Sequence, residues 1–323
     1  MQFRYYRNAL SSSQGGRLPI SYQWQQRFNR WKQATGFFGG GSDNQPRPKL
    51  CPACGTLVGI SATRCHECGA NLRFSLAALS KGLTGFFGGQ APATTAILVA
   101  NAVMFAATVL VGLAGSQGRD FSFLLGVNGE ALYRLGMAFP FDSRYFDWYR
   151  LLTSNYLHGG LIHIGFNMMV LLDIGPVVEE VYGSGRYFFF YTVCGICGSL
   201  LSAKFGSAPA VGASGAILGL IGVLIAITYR RGGAQVQQLR GRLISWVVTI
   251  FAIGLLFRGL RTDNWGHFGG LAAGFLLGRY FADRQPMNSR ERNLAYTLGW
   301  SALAVVVACF VVMFLNVGKP IVE

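Results

Sequence analysis

Residues 212–230 read GASGAILGLIGVLIAITYR and decide the class of fold. No charged side chain occurs before the last residue, and the length approaches the roughly 20 apolar residues that a helix needs to cross a bilayer. Gly215, Gly219 and Gly222 line one side of such a helix, and small residues at this spacing let a second membrane helix approach closely. The stretch therefore predicts a membrane-spanning helix that packs tightly against a neighbour, with Ser214 near its start.

Six other apolar runs predict further membrane-spanning helices. They lie near residues 94–115, 158–181, 187–205, 243–260, 265–282 and 295–315. The composition agrees, because 51% of the 323 residues are hydrophobic and only 13% are charged. A soluble domain has about a quarter of its residues charged. We therefore expect an all-α polytopic membrane protein with seven spans.

The distribution of Lys and Arg predicts how these helices are oriented. Residues 1–93 hold eleven Lys or Arg against two acidic residues, and they contain no uninterrupted apolar core, which argues against a cleaved leader. A basic flank stays on the cytoplasmic side, so we expect the N-terminus inside and the first span as an uncleaved anchor. If seven spans alternate, twenty Lys and Arg lie inside and eight outside.

The net charge of +15 does not require a nucleic acid partner. Attraction of the inner face to anionic lipids accounts for it more simply. We therefore expect an integral, multi-pass protein of a bacterial-type plasma membrane that contacts membrane lipids and no nucleic acid.

Four cysteines form two C-x-x-C pairs with ten residues between them: Cys51, Cys54, Cys65 and Cys68. A glycine that suits a tight turn follows each pair, and two such pairs close a tetrahedral four-thiolate zinc site. A redox dithiol or a pair of disulfides is the alternative, but a reducing cytosol favours zinc. Four protein ligands leave Zn²⁺ no open position, so we expect a structural ribbon that folds, and binds a cytosolic protein partner, without taking part in chemistry.

Three polar residues lie near the starts of the second, fourth and sixth predicted spans: His163, Ser214 and His267. Polar groups inside a membrane are costly and indicate function by default. Ser214 begins an apolar helix, where unpaired main-chain N–H groups face any developing negative charge. A helix cap or a small packing residue is the alternative. A serine reacts only when a base removes its proton, and His267 is the candidate base.

Glycine spacing predicts that Ser214 and His267 meet. His267 shares one face of its helix with Gly270, Gly274 and Gly278, so this helix also offers a glycine-lined side to a neighbour. No Asp or Glu lies near enough in sequence to suggest a third member, which favours a dyad near the outer surface. A packing or proton-relay histidine is the alternative.

His163 and Asn167 are four residues apart and share one face at the outer end of the second predicted helix. Acyl transfer needs donors for an oxyanion, and both side chains offer N–H groups. Hydrogen bonding between helices for packing is the alternative.

These residues resemble the rhomboid family of intramembrane serine proteases over residues 94–282. The specific motifs are H-x-x-x-N at 163–167, G-A-S-G at 212–215 and H-x-x-G-x-x-x-G at 267–274. Weaker matches are G-x-x-x-E-x-x-x-G at 175–183 and Tyr149-Arg150. The resemblance implies a six-helix core with a dyad in a water-accessible cavity below the outer surface.

The resemblance also implies cleavage of transmembrane protein substrates without metal or ATP. By matched position, Ser214 is the nucleophile, His267 the general base, and His163 and Asn167 the oxyanion donors. Leu218 stands four residues after the serine, where an aromatic residue often stacks on the histidine in the family. Glu179 is implied to be structural, bonding near the inner end.

We expect five segments along the chain. They are a basic, partly disordered or membrane-surface segment at 1–50, a zinc ribbon at 51–72, a linker or interfacial helix at 73–93, the rhomboid-like core at 94–282, and an inner loop, seventh transmembrane helix and short outer tail at 283–323. A non-enzymatic scaffold that binds client helices is the alternative function. A solute transporter fits less well, because the polar residues cluster at one end and not at the midplane.

Overall fold

A computed structural model describes residues 49–50, 57–59, 62–63, 91–115, 126–256 and 262–318. The chain divides into a smaller unit, Ser11–Gly85, and a larger one that contains Phe86–Glu323. In the smaller unit, strand β1 (Lys49–Leu50) pairs antiparallel with β2 (Leu57–Val58). The four ribbon cysteines, Cys51, Cys54, Cys65 and Cys68, lie outside the described residues, so the zinc ribbon stays a prediction.

The described part of the larger unit is helical apart from its connecting loops. Its elements are α1 (Pro92–Gly115), α2 (Gly129–Arg134), α3 (Arg150–Thr153), a 3-10 turn (Ser154–Tyr156), α4 (Leu161–Tyr182), α5 (Ser184–Phe205), α6 (Ser214–Arg230), α7 (Ala234–Leu256), α8 (Asn264–Tyr280) and α9 (Ser289–Asn316). Of these, α1, α4, α5, α7 and α9 are long and apolar enough to cross a membrane, and α6 is a shorter apolar helix. The prediction of an all-α polytopic membrane protein is confirmed.

Two helices begin earlier than hydropathy predicts. Helix α7 starts at Ala234 and not near 243, and α9 starts at Ser289 and not near 295. The added residues are mainly polar, and the side chain of Asn288 caps α9 by accepting the N–H of Glu291 at 2.8 Å. Hydropathy marks only the part of a helix that lies in hydrocarbon, whereas backbone hydrogen bonding continues until a cap ends it.

At one end of the helical unit, carboxylate and arginine side chains connect the helices to one another. Glu179 of α4 caps the start of α1, because its two oxygens accept the N–H groups of Ala93 at 2.9 Å and Thr94 at 2.8 Å. These N–H groups have no partner within their own helix, and Glu179 is only 2% exposed. The hydroxyl groups of Thr94 and Ser184 also donate to the carboxylate, at 2.8 and 2.6 Å, so it is fully hydrogen-bonded within the protein. Glu179 is thus a structural residue, as the family resemblance implied.

At the same end, side chains connect α6 to the segment that follows α8. Arg231 forms an ion pair with Asp283 at 2.7 Å, and Gln285 donates to the carbonyl of Glu180 at 2.6 Å. The C-terminal ends of α4, α6 and α8 therefore meet at this arginine-rich end. Their first residues, which include the predicted site, consequently lie together at the opposite end.

The core of the unit is the contact between α6 and α8. Nearly all of α6 is buried, and α8 lies so close that a Cβ on Gly270 would collide with the carbonyl oxygen of Gly215. A Cβ on Gly274 would collide in the same way with the carbonyl oxygen of Gly219. Without side chains between them the two backbones touch, which is the close approach that the glycine spacing predicts.

Replacing Gly274 with Ala is expected to destabilise the protein by about 1–3 kcal/mol, because the added methyl group has to push α8 away from α6. Thermal unfolding in detergent measures the change. Gly165→Ala is the matched control, since a Cβ there meets nothing within 4 Å among the described residues. Equal midpoints for the two variants would contradict the close contact.

Candidate active site

Ser214 and His267 face each other across the α6–α8 contact. Ser214 is the first residue of α6, and its Oγ lies 2.9 Å from Nε2 of His267 in the first turn of α8. The start of α8 is fixed by Asp263, whose Oδ1 accepts the N–H of Gly266 at 2.9 Å. The structure therefore brings together two residues that are fifty-three positions apart in sequence, as the sequence predicts.

The position of Ser214 follows from the length of α6. Its 17 residues span about 25 Å, which is less than the roughly 30 Å of membrane hydrocarbon. The last residue, Arg230, lies at the arginine-rich end, so with that end at one membrane surface we expect Ser214 several ångströms below the other.

The ring of His267 is 6% exposed and is held from two sides. Its Nε2 meets the serine, and Phe251 of α7 contacts it edge-on, with ring centroids 6.2 Å apart at 81°. Leu218, where the family often has an aromatic residue, is buried in α6. The aromatic neighbour of His267 therefore comes from another helix, α7, and the spacing of residues around Ser214 does not predict it.

Among the described residues, no carboxylate is hydrogen-bonded to the second ring nitrogen of His267. Its Nδ1 is buried without a hydrogen bond to any residue that the structure describes. Asp263 instead uses its carboxylate to cap α8. Within the described chain, Ser214 and His267 therefore form a hydrogen-bonded pair, and no carboxylate is bonded to the histidine.

Gly212 lies between the serine and His163. Its φ of +134° is a conformation that favours glycine, and a Cβ there would lie 2.9 Å from Nε2 of His163 and 3.7 Å from Oγ of Ser214. The Gly212 N–H donates to the carbonyl of Ser154 at 3.0 Å, which holds this turn against the 3-10 turn. A side chain at position 212 would therefore separate the two functional groups.

The hydrogen bonding of His163 fixes where its proton lies. Its Nδ1 accepts the backbone N–H of Gly159 at 3.3 Å, so the neutral ring carries its hydrogen on Nε2. That nitrogen is the one beside Gly212, on the side of Ser214. His163 is thus poised as a hydrogen-bond donor at the serine.

Asn167 follows one turn later on the same face of α4. Its Nδ2 donates one hydrogen to the carbonyl of His163 at 3.0 Å, which leaves its second amide hydrogen for another acceptor. In addition, no side chain among the described residues caps the start of α6, so first-turn N–H groups lie free around Ser214. The first turn of α6 thus offers main-chain donors at Ser214, and Asn167 keeps one amide hydrogen on the face of α4 that also carries His163.

The loop before α4 is a rigid support for this region. Arg150 is 5% exposed and donates to the carbonyl oxygens of Tyr133 at 2.7 Å and Met137 at 3.2 Å, and it pairs with Asp147 at 2.9 Å. Burial raises the pKa of the adjacent Tyr149, so its hydroxyl stays protonated and donates to Asp147. The buried guanidinium of Arg150 thus supplies hydrogen-bond donors to two backbone carbonyl groups of this region.

Comparison with known proteins agrees with this architecture. The family model described as the Rhomboid domain matches residues 145–284, which include α3 to α8 and therefore both Ser214 and His267. "Rhomboid protease GluP" of Bacillus subtilis is 37% identical over 47% of this chain and 31% of its own length. "RHOMBOID-like protein 6, mitochondrial" of Arabidopsis thaliana is 32% identical over 61% of this chain and 71% of its own length. "Rhomboid-type serine protease 2" of Emericella nidulans is 34% identical over 45% of this chain and 29% of its own length.

The fold and the site define a polytopic helical membrane protein with a serine and a histidine paired between two of its helices. The chain belongs to the rhomboid family. It spans about a third of the length of GluP and of RHOMBOID-like protein 4 from Arabidopsis thaliana, two of the curated relatives that it matches.

Proposed function

We propose that the protein is an intramembrane serine endopeptidase that cleaves transmembrane proteins. The observation that carries the proposal is the 2.9 Å contact between Oγ of Ser214 and Nε2 of His267 inside a bundle of membrane helices. The printed names of two relatives, a "Rhomboid protease" and a "Rhomboid-type serine protease", support the same chemistry.

In the proposed mechanism, His267 accepts the hydroxyl proton at Nε2 while Oγ of Ser214 attacks the carbonyl carbon of the substrate. The negative charge that develops on the carbonyl oxygen is stabilised by Nε2–H of His163, the second amide hydrogen of Asn167 and the first-turn N–H groups of α6. The protonated His267 then gives its proton to the leaving amine. Water, activated by the same nitrogen, hydrolyses the acyl-enzyme.

The environment of the site supports a transmembrane substrate. A peptide bond within an intact helix has its carbonyl oxygen hydrogen-bonded and its carbon shielded by side chains. A substrate therefore has to unwind locally before Ser214 can attack, which favours segments with helix-breaking and small residues. The depth of Ser214 below the surface suits the terminal turns of such a segment.

We further propose that the arginine-rich end is cytoplasmic and that the site opens to the outer side. Arg186, Arg230, Arg231 and Arg284 lie at the end where α4, α6 and α8 finish. The excess of Arg on cytoplasmic loops supports this orientation. The starts of those helices, including Ser214, then face outward.

Ser214→Ala and His267→Ala are each expected to abolish cleavage of a single-span model substrate by the purified protein in detergent, since the first removes the nucleophile and the second its base. Gel analysis of the products measures this. Ser245→Ala, at an exposed serine of α7, is the control and retains full activity. Cleavage that persists in both site variants rejects the dyad and favours the non-enzymatic scaffold that binds client helices.

We also propose that Cys51, Cys54, Cys65 and Cys68 hold a structural zinc ion whose module binds a cytosolic partner. The doubled C-x-x-C spacing supports the site, and the first pair lies in sequence between the two paired strands β1 and β2. A thiolate set of this kind favours zinc over harder cations.

Freshly purified protein is expected to carry about one zinc ion per chain, and the combined change Cys51→Ser and Cys54→Ser to lose it, because a structural site needs all four ligands. Elemental mass spectrometry measures the content. Cys197→Ser, at a cysteine of α5, is the control and keeps the metal. A parent protein without zinc would contradict the ribbon.

A further inference from the structure

Helix α9 lies outside the matched Rhomboid domain, yet one of its faces is buried along the whole helix. The buried residues are Ala295, Ala302, Val306, Cys309 and Met313, and their spacing places them on a single side. At its first half this side meets α5, where a Cβ on Gly299 would lie 2.9 Å from Cα of Gly185. Phe314 follows Met313 directly, at about 100° around the helix, and is 74% exposed.

The last turns of α9 contact the loop that precedes the site. The ring of Phe310 packs edge-on against Tyr156, with centroids 5.4 Å apart at 70°. Met313 covers Gly136, since a Cβ there would lie 3.5 Å from its Cγ. Arg134 donates to the carbonyl of Val317 at 3.4 Å. The last turns of α9 therefore contact α2, Gly136 just after it, and the 3-10 turn.

Tyr156 is 3% exposed and ends the 3-10 turn that begins at Ser154. The carbonyl of Ser154 is the acceptor for the N–H of Gly212, the residue between His163 and Ser214. The ring contact between Phe310 and Tyr156 is thus only two residues along the chain from Ser154, whose carbonyl holds the turn at Gly212. A displaced Tyr156 carries the Ser154 carbonyl with it.

Resting on the proposed function, we propose that Phe310 is a positioning residue for the reaction: it fixes Tyr156, and through the Ser154 carbonyl it fixes Gly212 beside His163 and Ser214. Phe310 itself touches neither nucleophile nor base. Its loss acts on the geometry of the transition state more than on substrate binding. Helix α9 is then a part of the catalytic support and not only an additional anchor.

The experiment compares Phe310→Ala with Phe314→Ala, the same substitution one turn further along the helix, at a ring that is 74% exposed. The rate at which a labelled fluorophosphonate reacts with Ser214 and the kcat and KM for a single-span substrate are measured for both. Phe310→Ala is expected to lower the labelling rate and kcat by about 10-fold or more with KM little changed, because small misplacements of reacting groups are costly. Phe314→Ala is expected to match the parent.

Phe310→Leu keeps apolar volume without the ring, so it is expected to fold and to show an intermediate rate; circular dichroism and thermal unfolding check this. Parent-like labelling in Phe310→Leu and Phe310→Ala, or an equal loss in Phe314→Ala, overturns the inference. If Phe310→Ala does not fold, the rate of Phe310→Leu decides in the same way. A parent that does not react at Ser214 overturns the proposed function itself, and this inference with it.

Discussion

The bare backbone contact between α6 and α8 is the constraint on which the rest of the site depends. Carbonyl oxygens of Gly215 and Gly219 occupy the space where side chains on Gly270 and Gly274 would lie. At ordinary helix separations of 8–10 Å, side chains would stand between the two axes. Here their absence brings a serine at the start of one helix within 2.9 Å of a histidine at the start of the other.

Buried polar groups are costly without hydrogen bonds, and the two ends of the helical unit supply these bonds from different groups. At the arginine-rich end, charged side chains cap and tie helices, as Glu179 does for α1 and Asp283 for Arg231. At the other end, the Asp263 side chain caps α8, but backbone groups hold two residues of the site: Gly159 donates to His163, and the Ser154 carbonyl accepts from Gly212. The second end thus keeps its side-chain donors and its uncapped helix start available for a ligand.

The sequence predicts much of this arrangement. Apolar runs predicted the long helices, and the glycine faces beside Ser214 and His267 predicted their meeting, because small residues at helical spacing have few other uses in a membrane. The pair His163 and Asn167 was found by its i, i+4 spacing, and both lie on the face of α4 that begins beside the serine.

What the sequence did not predict are contacts made by the backbone or between distant helices. The acceptor at Ser154 and the donor at Gly159 are main-chain groups, which every residue type carries. Phe251 and Phe310 are aromatic residues in apolar runs, where nothing distinguishes a ring that meets the site from one that faces lipid. The early start of α7 was missed because hydropathy does not mark a polar helical extension.

The most direct test of the dyad is the pH dependence of the rate at which a fluorophosphonate labels Ser214. The hydroxyl needs an unprotonated His267 to accept its proton, so the rate is expected to fall as pH decreases through the titration of that imidazole. The dependence is expected to vanish, at a uniformly low rate, in His267→Ala. A parent rate that is no higher than the rate of His267→Ala at any pH would contradict the pairing of serine and histidine.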